Sequence, residues 1–175
     1  MSGILGVKNK VDHENSPVII PQTHWRIHKG DMFHTSYRAV GVANNASADV
    51  LIKVGSISSH IVFESFSEGM YYFDIYEDTV ISSDGTPIPS FNKKRASSNV
   101  SQSTFFSSPA ITSLGTLIHQ NSHGSSGGGP NSSPGESLDS REWVFKTNTN
   151  YLLRLTNKKG GVADMVISSN YYEPS

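Results

Sequence analysis

The run Tyr151-Leu-Leu-Arg-Leu-Thr156, then Asn157-Lys-Lys-Gly-Gly161, then Val162-Ala-Asp-Met-Val-Ile-Ser-Ser-Asn-Tyr-Tyr172, decides the fold class. From Val162 the side chains fall into two sets, Val162, Asp164, Val166 and Ser168 on one face and Ala163, Met165, Ile167 and Ser169 on the other. A period of two is the signature of a strand. The Lys-Lys-Gly-Gly segment carries glycines that accept positive φ, so it predicts a hairpin turn between the two runs.

The same alternation recurs upstream. Phe33, Thr35, Tyr37 and Ala39 interleave with His34, Ser36, Arg38 and Val40. Asp49–Val54, His60–Phe66 and Met70–Tyr76 are short runs of branched and aromatic residues, and turn residues such as Gly55 and Glu68-Gly69 separate them. Leu114–His119 and Arg141–Phe145 read as further strands. Closely spaced strands with no helical period longer than about ten residues predict an all-β domain of about eight strands. The natural architecture is a jelly-roll-like or Greek-key β-sandwich.

Three segments break the pattern. Residues 1–22 carry mixed charges, and Pro17 and Pro21 bracket Val18-Ile19-Ile20. Proline biases its predecessor toward extended backbone, so an extended N-terminal arm is expected, with the domain proper over 23–175. The three branched residues are expected either to add a strand to the domain's own sheet or to strap a neighbouring subunit. In the middle, Ser83-Asp84-Gly85-Thr86 is a tight-turn signature, and Pro87 and Pro89 confine their surroundings to an edge or a loop. Residues 121–140, with Gly124-Ser-Ser-Gly-Gly-Gly-Pro130, predict a flexible loop within a hairpin.

At 175 residues the chain has room for one domain, and its low hydrophobic and charged content is made up by Gly, Pro, Ser, Asn and Thr. Fourteen basic against fifteen acidic residues leave no field to hold a polyphosphate backbone, so no nucleic-acid partner is expected. With no cysteine, disulfides, thiolate zinc sites and cysteine nucleophiles are excluded together. No apolar run approaches the roughly 20 residues that cross a bilayer, and the first residues lack the apolar centre of a signal peptide. No membrane association is expected, and synthesis is expected in a cytoplasm.

Sites of chemistry are sparse. Gly124-Ser-Ser-Gly-Gly128 matches the G-x-S-x-G string, but a linker composition produces it without the strand-to-helix turn that the nucleophile elbow needs. His24 and His28, with Trp25, Ile27 and His34 nearby, have zinc-helix spacing but lack an acidic partner, and Gly30 and the prolines argue against a helix there. Glu64, Glu68, Asp74, Glu77, Asp78 and Asp84 are the densest acids; a β-sandwich could bring two of them to the roughly 5–10 Å that glycoside hydrolysis needs, but Glu77-Asp78 is followed at once by turn residues, where acids are usually just solvated. The expectation is a non-enzyme with no metal and no cofactor. Lys93-Lys94-Arg95 is the densest basic cluster and suits an acidic protein surface.

Several of these stretches together resemble the head decoration (cement) proteins of tailed bacteriophages. They are His24-x-x-x-His28-x-Gly30, Asp49-Val-Leu-Ile52, Thr79-x-x-Ser82-x-Asp84-Gly85-Thr86, Asn92-x-x-Arg95, Gly115-Thr116-Leu117, the Gly/Ser loop and Tyr151-Leu-Leu-Arg-Leu-Thr-Asn157. The similarity runs over most of residues 24–173. It implies a jelly-roll-like protein on the exterior of a virion, commonly a homotrimer, that binds the major capsid protein and braces neighbouring subunits. The residues expected to touch that partner are Val18, Ile19, Ile20, Trp25, Lys93, Lys94 and Arg95. The alternative is a carbohydrate- or receptor-binding sandwich that uses rings such as Tyr71, Tyr72, Tyr76 and Trp143.

Overall fold

A computed structural model describes residues 21–124 and 142–174. The Gly/Ser loop beyond Gly124 and Val18-Ile19-Ile20 therefore lie outside the described residues.

The elements are a helix, α1 (Gln22–Lys29), and thirteen strands among the described residues. The first four are β1 (Met32–Val42), β2 (Ser47–Lys53), β3 (Ser59–Ser67) and β4 (Tyr71–Glu77). Five short strands come next, β5 (Val80–Ser83), β6 (Thr86–Ile88), β7 (Phe91–Asn92), β8 (Thr104–Ser107) and β9 (Ala110–Ser113). The last four are β10 (Thr116–His123), β11 (Trp143–Phe145), β12 (Asn150–Asn157) and β13 (Ala163–Tyr172).

Two antiparallel sheets form the sandwich. One runs β11-β3-β13-β1-β7 and the other β10-β4-β12-β2-β8-β6. Without the short strands these orders are β1-β13-β3-β11 and β2-β12-β4-β10, and the chain changes sheet at every connection among these eight except the β4–β10 pair. That is an eight-stranded jelly roll. It also corrects two sequence expectations. Residues 157–161 are not a hairpin turn, because β12 and β13 lie in different sheets, and β10 and β11, the described strands on either side of the Gly/Ser segment, are not a hairpin pair either. Turn-forming residues reverse a chain equally well within a sheet and between sheets, so the turn composition could not choose.

Alternation delivers the core. Phe33, Phe63, Phe145, Met165, Ile167 and Tyr171 from one sheet face Val50, Ile52, Phe73, Ile75, Leu153 and Leu155 from the other, all buried. Phe145 stacks on Tyr151 with ring centroids 3.7 Å apart. These rings together remove several hundred Å2 of apolar surface from water, at about 25 cal/mol per Å2.

Residues 78–115 form an excursion between β4 and β10. Its base is a two-stranded ribbon, β5 against β9, and its far part lays β6 and β8 along the β2 edge and β7 along the β1 edge. Both sheets are thus capped on the same side of the sandwich by one insertion. The Lys53–Asp84 ion pair, 3.0 Å, ties the β5–β6 turn onto the outer face of the second sheet. Leu51 and Leu152 on that face are fully buried although alternation points them away from the core.

The segment from Gln22 to Lys29 is a helix, which corrects the expectation that prolines and Gly30 forbid one and moves Gln22 out of the arm. The same residues mark its two ends. Pro21 stands at the N-cap, where its missing N–H costs nothing, and its carbonyl accepts the Trp25 N–H at 3.1 Å. Gly30 closes the C-terminus at φ 84°, donating to the carbonyls of Arg26 and Ile27.

Candidate functional site

The expected partner residues within the described chain lie on two segments that touch at one point, the C-terminal end of α1. α1 delivers Trp25, and the turn after β7 delivers Lys93, Lys94 and Arg95. The two segments meet at Gly30, whose carbonyl accepts hydrogen bonds from the side-chain amides of Asn92 (2.7 Å) and Asn99 (3.1 Å). A side chain at Gly30 would collide with Ser97, at 2.6 Å from its Oγ, so the helix end and the 93–99 turn fit closely.

Each side chain at this corner has a distinct setting. Trp25 is half-buried, with the Arg26 guanidinium 5.2 Å and the Lys29 ammonium 5.4 Å from its ring. Arg26 also lies 4.5 Å over Tyr172, so the helix is clamped to the outer face of the first sheet. Lys93 donates to Asn170 Oδ1 at 3.1 Å, Lys94 is exposed, and Arg95 stands 5.2 Å over the Phe91 ring. Phe91 and Val100 are 48% and 85% exposed. Beside them a groove of about 300 Å3 runs between the capping strands, with Phe33, Ile88, Phe105 and Phe106 in its lining. The corner thus sets exposed apolar side chains beside cations, Arg95 over Phe91 and Lys29 in one groove with Val100.

The floor of this edge is a buried carboxylate. Glu173 accepts the backbone N–H groups of Gln102 and Ser103, both at 2.8 Å, and the Ser101 hydroxyl at 3.1 Å. Ser59 and Ser103 share a hydrogen bond of 2.6 Å beside it. No sequence motif marks Glu173, because its partners come from a loop about seventy residues away.

The other residues singled out in the sequence are placed apart. His24 and His28 lie on one helix face with ring centroids 4.5 Å apart, and no group of three or more ligating side chains forms among the described residues. Glu64 and Glu68 lie in and just after β3, and Asp74 and Glu77 on β4 in the opposite sheet. Glu77 accepts Lys146 Nζ at 2.6 Å and the Tyr151 hydroxyl at 2.8 Å, bonds that hold its carboxyl below the usual range. The four rings do not form one platform. Tyr71 is fully buried, Trp143 packs against the core beside His119, Tyr76 is half-buried, and Tyr72 is exposed.

Asp74 sits at odds with its surroundings. Burial raises its carboxyl above the usual range, and Arg154 and His119 offset this in part. A carboxyl raised in the folded state binds its proton more tightly folded than unfolded, so stability falls as pH rises from the unfolded value through the folded one. Asp74→Asn should therefore raise the melting temperature at about pH 7 by roughly 1–2 °C, solvent screening keeping the gain small, and give no gain near pH 3. Thermal melts at the two pH values check this, and a loss at neutral pH would contradict it.

No protein-family model matches this sequence, and neither does any of the curated proteins.

Proposed function

We propose that this protein is a structural component of a phage-type virion, a jelly roll that binds the outside of an icosahedral shell and holds neighbouring major capsid subunits together. The resemblance over residues 24–173 supports the reading, and so does the fold. The observation that carries it is the capped edge, where Phe91 stands exposed under Arg95, with Lys93 and Lys94 in the turn that follows, and Val100 stands exposed in a groove shared with Lys29. A protein that occupies many equivalent places on one shell needs only a modest surface per copy, because oligomerisation turns weak contacts into avid ones. α1 reaches this corner with its C-terminal end, whereas Gln22 and Thr23 at its start lie beside His60 and Glu142, toward the other edge of the same sheet.

The reading predicts a trimer by size-exclusion chromatography with light scattering, and added density on undecorated shells by electron cryomicroscopy. Deleting residues 1–20 should leave the thermal melt unchanged and reduce occupancy. Replacing Lys93, Lys94 and Arg95 together by serine should weaken shell binding about tenfold, more at low salt than at high salt. A wild-type protein that leaves shells bare would overturn the assignment, and unchanged occupancy in both variants would remove the edge and the arm from it.

A further inference from the structure

The outer face of the second sheet offers a separate site. Register places its outward side chains in rows across β10, β4, β12 and β2. The first row is Ser122, Tyr72, Thr156 and Ser47, and the second is Gln120, Asp74, Arg154 and Asp49. The third, Leu117, Tyr76, Leu152 and Leu51, begins the apolar part onto which the insertion is tied. The face is therefore half covered and half open. The open half holds a groove of about 350 Å3, lined by Tyr72, Asp74, Gln120, Asn121 and Ser122.

The hydrogen-bonding inventory of the groove is largely unspent. Arg154 is committed to Asp49 through two bonds of 2.8 Å, Nε to Oδ1 and Nη2 to Oδ2, so that pair is neutral as a unit. Lys158 is held by Asn45 Oδ1 at 2.9 Å, with its ammonium 5.2 Å from the Tyr72 ring. The carboxylate of Asp74, the side-chain amide of Gln120 and the hydroxyls of Tyr72 and Ser122 form no hydrogen bond among the described residues. They converge on one groove beside a ring that is 39% exposed. Burial also raises the Asp74 carboxyl above its usual range, so its ionised form disfavours the folded state.

We propose that this groove binds a neutral saccharide, with the Tyr72 ring against the C–H face of a pyranose and Asp74, Gln120 and Ser122 hydrogen-bonded to its hydroxyls. The chemistry selects that class. A carboxylate accepts from two vicinal hydroxyls at once, an amide donates and accepts, and a tyrosine ring covers an apolar sugar face at low entropic cost. Asp74 is the charged side chain of the lining, and Arg154 is already engaged by Asp49, so an anionic sugar would meet a carboxylate and no free cation among the lining residues. The volume admits one or two rings. This inference stands apart from shell binding, since the groove and the capped edge are built from different residues.

The test applies the full-length protein to an array carrying both neutral and sialylated or sulfated glycans, with titration of the best hits by NMR. The expected result is selective binding of neutral glycans with Kd of about 0.1–1 mM per site, weakened at least tenfold in Asp74→Asn and in Tyr72→Ala. Shell occupancy should be unchanged in both. Asp74→Asn is isosteric and should melt no lower than wild type, so it answers even if Tyr72→Ala folds poorly. Binding of anionic glycans only, no binding at all, or neutral-glycan binding undiminished in Asp74→Asn would each overturn the proposal.

Discussion

Replacing Glu173 by alanine should destabilise the protein by about 2–4 kcal/mol, because the change strands two backbone donors, one buried and one partly buried, rather than merely deleting a contact. The Gln102 and Ser103 N–H groups both point at this carboxylate, and the Ser101 and Ser59 hydroxyls crowd the same place. An N–H that loses its acceptor without gaining water forfeits its full desolvation cost, roughly 1–3 kcal/mol each. Glu173→Gln keeps one acceptor oxygen but turns an amide toward the second N–H, so it should lose about half as much. Urea denaturation with comparison of midpoints and slopes measures both. A loss under about 1 kcal/mol for alanine would mean that the loop relaxes and finds water. The same loop carries Val100, so loosening it should also weaken the capped edge.

Gly115→Ala is expected to cost about 3 kcal/mol, against about 1 kcal/mol for Gly160→Ala. Both glycines have positive φ, 84° and 89°, so both substitutions incur the left-handed penalty. They differ in surroundings. A Cβ at Gly115 would lie against the carbonyl oxygen of Glu77, far inside contact distance, whereas one at Gly160 would meet nothing within 4 Å. The obstacle at Gly115 is backbone, which cannot rotate aside, and it sits where the insertion leaves and rejoins the β4–β10 pair. Alanine there should raise amide hydrogen exchange in β5 and β9, while Gly160→Ala should leave exchange in that ribbon unchanged. Equal costs for the two variants would show that the pinch at Gly115 yields without strain.

The long strands are legible in the sequence because one buried face and one wet face impose alternation, which β1, β3 and β13 keep along most of their length. The insertion is not, because its strands run two to four residues and consist largely of Ser, Thr, Pro and Phe without a period. α1 escapes a reading by composition because proline and glycine bound a helix as readily as they break one, and here Pro21 and Gly30 are its two ends. Lys93 to Arg95 and Trp25 stand out in the sequence as a cluster and a ring. That the segments carrying them meet through Asn92, Asn99 and Gly30 is tertiary information. Likewise Tyr72 and Asp74 are ordinary residues of one strand until register sets Gln120 and Ser122 beside them.

The central place of β13 bears on how the chain is made. It lies between β1 and β3, pairing Phe33 with Tyr171 on one side and Ile61 with the same Tyr171 on the other. The two earlier strands touch nothing in their own sheet's centre until residues 163–172 have left the ribosome. The second sheet and the insertion can pair before then, but the facing edges of β1 and β3 must wait, unpaired, for a strand to be threaded between two that were made first. Two open strand edges, far apart in sequence and closed by one late strand, make this sheet slow to form and leave its partners exposed to pairing with other copies meanwhile.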